Sequence, residues 1–371
     1  MPAVHYHYGK FPPASLDWER IIPLIGPASA AVARYDGVLS AIPNSRVLLS
    51  PLTTDEAVLS SRIEGTRTSL DEVLEYEAAG PNGASPEKEA DIHEVLNYRK
   101  ALNWAMDMLN EIPLCLKLIK GMHKLLLEGV RGRSKSPGEF RKLPNWIGPP
   151  GCTIDDAKFV PISADKLLSA MSDWEKYIHE NAPDKLVQLA LLHAEFEALH
   201  PFLDGNGRLG RMFIPLFMFS AGLIGSPMFY ISAYFEEKRD EYYDRLLAVS
   251  RDDNWTEWCM FFLIAVQTQA ESNHSKAWAI LNLYNQIKLQ ISELTRSQFA
   301  IHALEWIFKK PVFSSVDFVA NSNIPEPTAR RILNVLKEAD ILKNIRIGSG
   351  RRPSIFAFPQ LVNIAEGKVV L

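Results

Sequence analysis

The chain has 371 residues, which is long for one ordinary domain and suits two or three. Its hydrophobic content of 47% and charged content of 23% are typical of a globular protein with ample apolar material for a core. The formal net charge of −4 gives no whole-chain signal for nucleic acid or for a membrane surface.

Cysteine usage and the N-terminal sequence bear on the compartment. The three cysteines are far apart and show no CxxC spacing, and they are Cys115, Cys152 and Cys259. This spacing argues against a zinc site or a disulfide framework and suits a reducing cytoplasm. The first residues lack a basic region followed by an apolar one, so we predict no signal peptide. The longest apolar stretch, 212–225, is too short for a membrane span and predicts a buried core helix.

In chain order, the hydrophobic pattern predicts an extended arm and then a series of helices. The arm is 1–20, and the helical patterns lie in 21–77, 87–110, 113–128, 163–181, 186–200, 208–221, 239–250 and 255–288. Within the first of these, 55–65 reads as one helix that is closed by Gly65. Glycines and prolines mark turns over 129–162, with Asn145–Ile147 and Lys158–Val160 as short strand candidates.

The composition changes after residue 296. The segment 297–371 has ten Lys or Arg and six Asp or Glu, so its charge is near +4 and that of the rest near −8. Its pattern predicts a helix over 315–320, a turn, a helix over 327–339, and a hairpin of 341–346 with 354–358. Helices followed by a hairpin with a basic tip predict a winged helix.

The segment HPFLDGNGRLGR, residues 200–211, joins two predicted helices. His200 ends the first helix because Pro201 disfavours continued α geometry. Gly205, Asn206 and Gly207 tolerate unusual backbone angles, so successive N–H groups can point into one concavity. The helix that follows adds unpaired N–H donors and a partial positive charge. This backbone favours a bound polyphosphate.

The charged side chains of this segment fit the same interpretation. Arg208 and Arg211 stand three residues apart in the first turn of the second helix, so their guanidinium groups share a face. Asp204 is a candidate magnesium ligand, since Mg²⁺ takes one or two carboxylates beside phosphate oxygens and water. His200 is the group of the loop that takes a proton near neutral pH. The alternative, an ordinary glycine-rich turn, requires each of these positions to be accidental.

The segment resembles the Fic signature, HxFx(D/E)GNGRxxR, at every fixed position. The resemblance implies an all-α Fic core with a small β-hairpin flap. It also implies that His200 deprotonates a target hydroxyl, that Asp204 holds Mg²⁺ between the α- and β-phosphates of ATP, and that Phe202 is structural. The ATP-binding residues that it implies in this segment are Gly205, Asn206, Gly207, Arg208 at the β-phosphate, Leu209, Gly210 and Arg211 at the γ-phosphate.

A second motif lies upstream. Ser60 to Gly65 resembles the inhibitory motif of the Fic family, (S/T)xxxE(G/N). Ser60 and Glu64 are i, i+4 neighbours on one helix face. We expect Glu64 to form a bidentate pair with Arg211, which would remove the partner of the γ-phosphate and add a negative charge near it. The alternative is an ordinary surface helix end.

The resemblance also implies roles for two further regions, a flap and a nucleoside pocket. Phe159, Val160 and Pro161 are flap candidates, and the exposed edge of that flap could pair with an extended target segment. Tyr242, Tyr243 and Asn254 lie where the family has its nucleoside pocket. The alternatives are a plain surface hairpin and aromatic residues of the core.

The C-terminal region leaves two interpretations open. Arg330 and Arg331 lie early in the predicted recognition helix, and Arg351 and Arg352 lie at the predicted wing tip. DNA contact is one interpretation, and dimerisation or docking of a protein partner is the other.

Together these patterns predict a cytoplasmic, homodimeric protein adenylyltransferase that is inhibited by Glu64. It would use ATP and Mg²⁺ to modify a Ser, Thr or Tyr hydroxyl of a target protein or of itself. The predicted fold is an all-α Fic core with a small β-hairpin flap, plus a C-terminal winged-helix (α+β) domain. The predicted domains are an N-terminal arm and inhibitory-helix region (1–90), the Fic core (91–296) and the winged helix (297–371). Alternatives are the reverse reaction, another phosphate-containing donor, or a DNA-binding regulator with a Fic sensor core.

Overall fold

A computed structural model describes residues 3–80, 84–130, 132, 134–149, 151–348 and 352–371. This part of the chain is mostly helical, with sixteen helices and five short strands. The helices are α1 (Trp18–Ala41), α2 (Ser45–Leu48), α3 (Ser50–Ile63), α4 (Leu70–Ala79), α5 (Pro86–Met108), α6 (Leu116–Leu126), α7 (Ala164–Ile178), α8 (Lys185–Leu199), α9 (Asn206–Ser220), α10 (Ser232–Glu237), α11 (Arg239–Asp252), α12 (Trp255–Thr295), α13 (Ala300–Lys309), α14 (Ser315–Asn321), α15 (Glu326–Glu338) and α16 (Pro359–Glu366). The strands are β1 (Val4–His5), β2 (Phe159–Val160), β3 (Val312–Ser314), β4 (Lys343–Arg346) and β5 (Ile355–Ala357). Among the described residues, no helix is both long enough and apolar enough to cross a bilayer.

The chain divides into two compact units, each discontinuous in sequence. The first unit comprises Met1–Asp36, Leu59–Gly65 and Asn97–Glu271, and the second comprises Gly37–Val58, Thr66–Leu96 and Ser272–Leu371. The three consecutive domains that the sequence predicts, with boundaries at residues 90 and 296, stay a prediction.

The core of the first unit is built around α8. Nearly all of the side chains of this helix are buried, including the polar ones of Gln188, His193 and Glu195, so the helix lies inside the core. It begins at Asp184, whose side chain accepts a hydrogen bond from the Val187 N–H. Helices α7, α9 and α11 pack against it. The end of α8 and the start of α9 therefore meet inside the core of the unit.

The N-terminal arm forms a strand instead of remaining unpaired. Val4 pairs with Phe159 and His5 with Val160, in parallel. On its other side, Phe159 forms a single antiparallel bridge with Ile147. The predicted hairpin partner, residues 145–147, is thus reduced to one bridging residue. Prolines 144 and 149 flank this segment and have no N–H to donate, so the ladder cannot extend.

Buried polar contacts anchor the arm to α8. The Tyr6 hydroxyl donates to Glu195 Oε1 at 2.5 Å, and His7 Nε2 lies 2.8 Å from Glu195 Oε2. His7 Nδ1 lies 2.7 Å from the hydroxyl oxygen of Ser250 on α11. Because Glu195 is 1% exposed, both of its oxygens depend on these two side chains of the arm for hydrogen bonds.

The second unit contains a three-stranded antiparallel sheet in the order β3–β5–β4. The predicted pair of helices appears as α14 and α15, and the predicted hairpin as β4 and β5. The sequence missed α13, β3 and α16. Residues 349–351, which include Arg351 and most of the predicted wing tip, lie outside the described residues.

Candidate active site

His200 occupies the end of α8 in a left-handed conformation, with φ 47° and ψ 61°. Arg141 holds this turn by donating from Nε to the His200 carbonyl oxygen at 2.9 Å and from Nη2 to the Leu199 carbonyl oxygen at 3.2 Å. The same Nη2 donates to the carbonyl oxygen of Ile162. Burial lowers the pKa of Arg141 to about 10, so the guanidinium stays charged at neutral pH. No sequence signal pointed to Arg141.

The His200 imidazole is neutral at pH 7. Burial lowers its pKa to about 4, against raising contributions from the Glu197 carbonyl and the Glu64 charge. Its Nδ1 lies 3.4 Å from the Glu197 carbonyl oxygen. A carbonyl oxygen only accepts, so the ring proton is assigned to Nδ1. The lone pair of Nε2 is then the one that can take a proton.

The loop after His200 is closed by the side chain of Asn206. Its Oδ1 accepts from the Phe202 N–H at 2.8 Å, and its Nδ2 donates to the Phe202 carbonyl oxygen at 2.9 Å. Gly205 precedes α9 with φ 78°, a conformation that favours glycine. As a result α9 begins at Asn206, two residues earlier than the pattern indicated, and Gly207 lies in its first turn.

Arg211 is buried and bound to the turn at the end of α3. Its Nη2 donates to Glu64 Oε1 at 2.6 Å and to the Ser60 carbonyl oxygen at 2.9 Å, and its Nε donates to the Ser60 hydroxyl at 2.8 Å. The structure has one hydrogen bond between Arg211 and Glu64 in place of the expected bidentate pair, and Ser60 accepts two further bonds from the same guanidinium. Helix α3 ends at Ile63, so that Glu64 lies in the turn after the helix instead of inside it.

Electrostatics strengthen this contact. Burial opposes ionisation of Glu64, but the charge and hydrogen bond of Arg211 outweigh it, with smaller help from Arg208 and His200, and the pKa of Glu64 is lowered. The pKa of Arg211 is raised despite its burial, mainly by Glu64. A Cβ at Gly207 would lie 2.2 Å from Glu64 Oε1, so only glycine leaves room for the carboxylate.

Asp204 lies at the edge of the loop. Its side chain is 39% exposed, and its Oδ1 is 3.5 Å from Arg208 Nη2. Its backbone is held by His123, whose Nε2 donates to the Asp204 carbonyl oxygen at 3.1 Å while Nδ1 accepts from the Gly138 N–H at 2.7 Å. One partly exposed carboxylate beside the N-terminus of a helix has the chemistry of a Mg²⁺ ligand, since Mg²⁺ takes one or two carboxylates and completes its shell with phosphate oxygens and water.

A cavity of about 430 Å³ opens over the end of α8. Its lining residues are Glu64, Ile147, Gly148, Pro149, Lys158, Phe159, Ala194, Glu197, Ala198, His200, Gly207, Arg211, Arg239, Tyr243, Asp244, Leu246 and Leu247. The structure thus brings together residues predicted from three separate motifs: the catalytic loop, the inhibitory motif and the flap. Among the two predicted tyrosines, it is Tyr243 that lines this cavity.

Several predicted site residues lie elsewhere. Tyr242 is buried and its hydroxyl is 2.9 Å from His193 Nε2, while His193 Nδ1 lies 3.1 Å from the Gly210 carbonyl oxygen. Leu209 is fully buried in the core. Asn254 begins the first turn of α12, with its N–H bonded to the carbonyl oxygen of Ala248. The flap residues Val160 and Pro161 do not line the cavity, whereas Phe159 does.

Four titratable residues of the cavity were missed. They are Lys158, Glu197, Arg239 and Asp244. For Glu197 a sequence signal existed, since a residue three positions before His200 shares its helix face. The other three are brought to the cavity by the flap and by α11, and nothing local to their sequence marks them.

Two family models match the chain. The description "Fic/DOC family N-terminal" matches residues 22–107, and "Fic/DOC family" matches residues 113–218. Together they cover just over half of the chain, and the second includes the loop and His200. The chain belongs to the Fic/DOC family. The placement of the Fic loop at the N-terminus of α9 agrees with that assignment.

Relatives and solved structures give the same family. A probable protein adenylyltransferase of Aquifex aeolicus is 28% identical over 47% of this chain and 51% of its own length. The protein adenylyltransferase Fic of Drosophila grimshawi is 26% identical over 45% of this chain and 32% of its own. A Fic family protein from Desulfovibrio desulfuricans shares the fold, with a TM-score of 0.59 and 20% identity, over 91% of this chain and 95% of that one. The chain thus matches about half or less of the curated relatives' length.

Proposed function

We propose that this Fic chain transfers AMP from ATP to a Ser, Thr or Tyr hydroxyl of a target protein or of itself. One observation carries the proposal: His200, a neutral base, lines the same cavity as Gly207 and Arg211 at the N-terminus of α9. The cavity therefore combines a proton acceptor with a phosphate-binding surface. The names of the Aquifex and Drosophila relatives support the same activity.

The proposed chemistry is one substitution at the α-phosphorus. The target hydroxyl oxygen forms a bond to the α-phosphorus, the bond from that phosphorus to the bridging oxygen breaks, and pyrophosphate leaves. His200 Nε2 takes the hydroxyl proton, because Nδ1 is directed at the Glu197 carbonyl. The N–H groups of the first turn of α9 and the guanidinium groups of Arg208 and Arg211 would bind the phosphates.

Asp204 is the residue that would hold Mg²⁺. When bound, the ion would neutralise phosphate charge and orient the leaving group. The contribution of the chain is the single carboxylate, kept in place by His123 through the Asp204 carbonyl oxygen.

Glu64 is proposed to inhibit the transfer. It holds Arg211 Nη2 at 2.6 Å and lies against Gly207, where a γ-phosphate would need both the guanidinium and the space. A lowered pKa keeps Glu64 ionised at neutral pH, so it also repels the triphosphate. Transfer would then require the turn at Ser60–Glu64 to move away.

The flap is proposed to position the target through the segment around Trp146 and Ile147, and not through Phe159, Val160 and Pro161, which were the candidates from the sequence. Phe159 and Val160 already pair with β1, and Phe159 also bridges to Ile147. The free face of the flap is therefore proposed to be the segment around Trp146 and Ile147, which are 41% and 39% exposed.

The second unit is proposed to carry a winged helix in its C-terminal part. The order helix, strand, helix, helix and two strands from α13 to β5, with the sheet order β3–β5–β4, supports this. Arg330 pairs with Glu326, and Arg331 Nη1 donates to the Thr295 carbonyl oxygen, so both arginines have partners within the chain. DNA contact, protein docking and homodimer formation stay predictions.

Mass spectrometry after incubation with ATP and Mg²⁺ tests the proposed activity. We expect the chain or an added target protein to gain one AMP on Ser, Thr or Tyr, and His200→Ala to abolish the gain. A different mass increment would indicate another donor. Loss of AMP from a modified protein would indicate the reverse reaction, and no His200-dependent change at all would contradict an enzymatic role.

A further inference from the structure

The Asp204 carboxylate lies against the loop after α6, which the proposed transfer does not otherwise use. Its Oδ1 is 3.5 Å from Arg208 Nη2. Its Oδ2 lies beside Gly132 of that loop, where a Cβ would lie 2.8 Å from the oxygen. Each oxygen of the proposed Mg²⁺ ligand thus has its own neighbour, and the neighbour of Oδ2 is the backbone of a glycine.

Gly132 suits this place for two reasons. Its φ is 91°, a left-handed conformation that residues with a side chain rarely adopt. A Cβ there would also approach Asp204 Oδ2 more closely than such atoms normally do, and would lie 3.3 Å from the Leu127 side chain. The carboxylate is the group that can give way, because it ends a short side chain that is 39% exposed and turns easily about its last bond. A methyl group at position 132 would therefore turn the carboxylate.

The backbone of Asp204 is held by the same helix. His123 Nδ1 accepts from the Gly138 N–H at 2.7 Å, and Nε2 lies 3.1 Å from the Asp204 carbonyl oxygen. Since an N–H can only donate, Nδ1 carries no proton, and it is Nε2–H that donates to the carbonyl. The imidazole also stacks on Phe202, with 3.8 Å between the ring centroids. The donor to Asp204 is thus fixed in place and in tautomer.

The turn after Asp204 rests on the end of α6 as well. A Cβ at Gly205 would lie 3.1 Å from the Leu126 side chain and 3.8 Å from the His123 ring. The backbone on both sides of Asp204 is therefore packed against α6. Rotation of its side chain is the freedom that remains, and Gly132 lies where it limits that rotation.

We propose that His123 and Gly132 are positioning residues for the metal ligand: His123 fixes the Asp204 backbone, and Gly132 sets the orientation of its carboxylate. This inference rests on the proposed use of Asp204 for Mg²⁺. The chain offers one carboxylate there, and phosphate and water complete the shell of the ion. An error in the direction of that carboxylate is then not compensated by a second one.

The test compares nucleotide binding with Mg²⁺ and with EDTA, by calorimetry, in the full chain with Glu64→Gly as parent. The ligand is the α,β-methylene analogue of ATP, in which the bond that the transfer breaks is replaced. Gly132→Ala is matched by Gly129→Ala, which also has a positive φ, of 71°, but where a Cβ would have no atom of the described residues within 4 Å. His123→Asn keeps an acceptor at the position of Nδ1, whereas His123→Gln keeps a donor at the position of Nε2.

We expect the parent to bind the analogue about tenfold more tightly with Mg²⁺ than with EDTA, the lower end of what groups that hold metal ligands contribute. Asp204→Ala should abolish this difference. Gly132→Ala and His123→Asn should reduce it to about twofold, while Gly129→Ala and His123→Gln keep it. Affinity in EDTA should be the same in all of these chains, because the N-terminus of α9 and its arginines are unchanged.

Each pair decides for its own residue. A full Mg²⁺ difference in Gly132→Ala, or in His123→Asn, overturns the positioning role of that residue while leaving Asp204 as the ligand. An equal loss of affinity with Mg²⁺ and with EDTA would show general damage to the loop, and overturns the role too. If His123→Asn fails to fold, as its melting temperature reports, the Gly132 pair still decides for the carboxylate.

Failure of the premise looks different. An unchanged Mg²⁺ difference in Asp204→Ala, or none in the parent, overturns the proposed metal site, and this inference with it. A parent that does not bind the analogue under either condition overturns the proposed use of ATP.

Discussion

Glu64 Oε1 and Arg211 Nη2 lie 2.6 Å apart, and the carboxylate rests against the backbone of Gly207. The contact joins the turn after α3 to the first turns of α9, where the phosphates are proposed to bind. The Glu64 carboxylate therefore occupies the Arg211 guanidinium group, which the proposed binding of the phosphates needs. The consequences can be measured in several ways.

Removal of Glu64 should activate the chain. We expect Glu64→Gly to raise auto-AMPylation by about tenfold to a hundredfold, since a charge-assisted hydrogen bond of about 1.5–3 kcal/mol no longer holds Arg211. Glu64→Gln should give a smaller increase, because it removes the charge but keeps the bulk. Labelling with radioactive ATP measures both. Glu75→Gly, at an exposed carboxylate of α4, is the control. Equal labelling of Glu64→Gly and wild type would contradict inhibition by Glu64.

The pH dependence of the activated chain should report the low pKa of His200. Burial lowers that pKa to about 4, so the imidazole is neutral and able to accept a proton throughout pH 5–7. Glu64 raises the pKa, so Glu64→Gly should lower it further, and kcat/KM should stay flat down to pH 5. Circular dichroism at pH 5 checks that the chain is folded. A loss of activity centred near pH 6.5 would show that His200 titrates like an exposed histidine.

Arg141 should act as a positioning residue for His200. Arg141→Met leaves the carbonyl oxygens of Leu199 and His200 without their donor, so we expect a loss of about 2–4 kcal/mol of stability. In the Glu64→Gly background kcat should fall with little change in ATP affinity, since the Arg141 side chain bonds the carbonyl oxygens before the first turn of α9, where the phosphates are proposed to bind. Denaturant titration and initial rates measure the two effects. Lys142→Met, at an exposed neighbour of Arg141, should change neither the stability nor kcat. A fall in ATP affinity alone in Arg141→Met would contradict its role in positioning His200.

Glu195 should hold the N-terminal arm against α8 and thereby support the pairing of β1 with the flap strand β2. Glu195→Ala removes the partner of Tyr6 and His7 and should cost about 2–4 kcal/mol, because both buried groups lose a hydrogen bond. Release of β1 from β2 should speed tryptic cleavage after Lys10 and Lys158, which flank the two strands. Glu237→Ala, at an exposed carboxylate, is the control. Unchanged cleavage at Lys158 would mean that the flap does not depend on the arm.

Much of this architecture was accessible from hydrophobic periodicity and turn residues. Helices α5 to α9, α11, α12, α14 and α15 lie where the pattern predicts them, because apolar spacing and turn residues mark them in the sequence. The elements that were missed are short or depend on remote partners. Strand β1, for example, is two residues long and exists through pairing with Phe159, which lies more than 150 positions away.

For the site, the sequence by itself determined the local chemistry. It gave a helix end with His200, a glycine-containing turn at Gly205, and a helix N-terminus with two arginines, since all of these depend on neighbours within a few residues. Only the tertiary structure decided how these groups are held and what lies beside them: Ser60 takes the Nε–H of Arg211, Arg141 holds the His200 turn, and Glu197 lines the cavity with a raised pKa. The physical reason is that burial and charge pairing depend on distances between chain segments, and these are set by packing and not by spacing along the sequence.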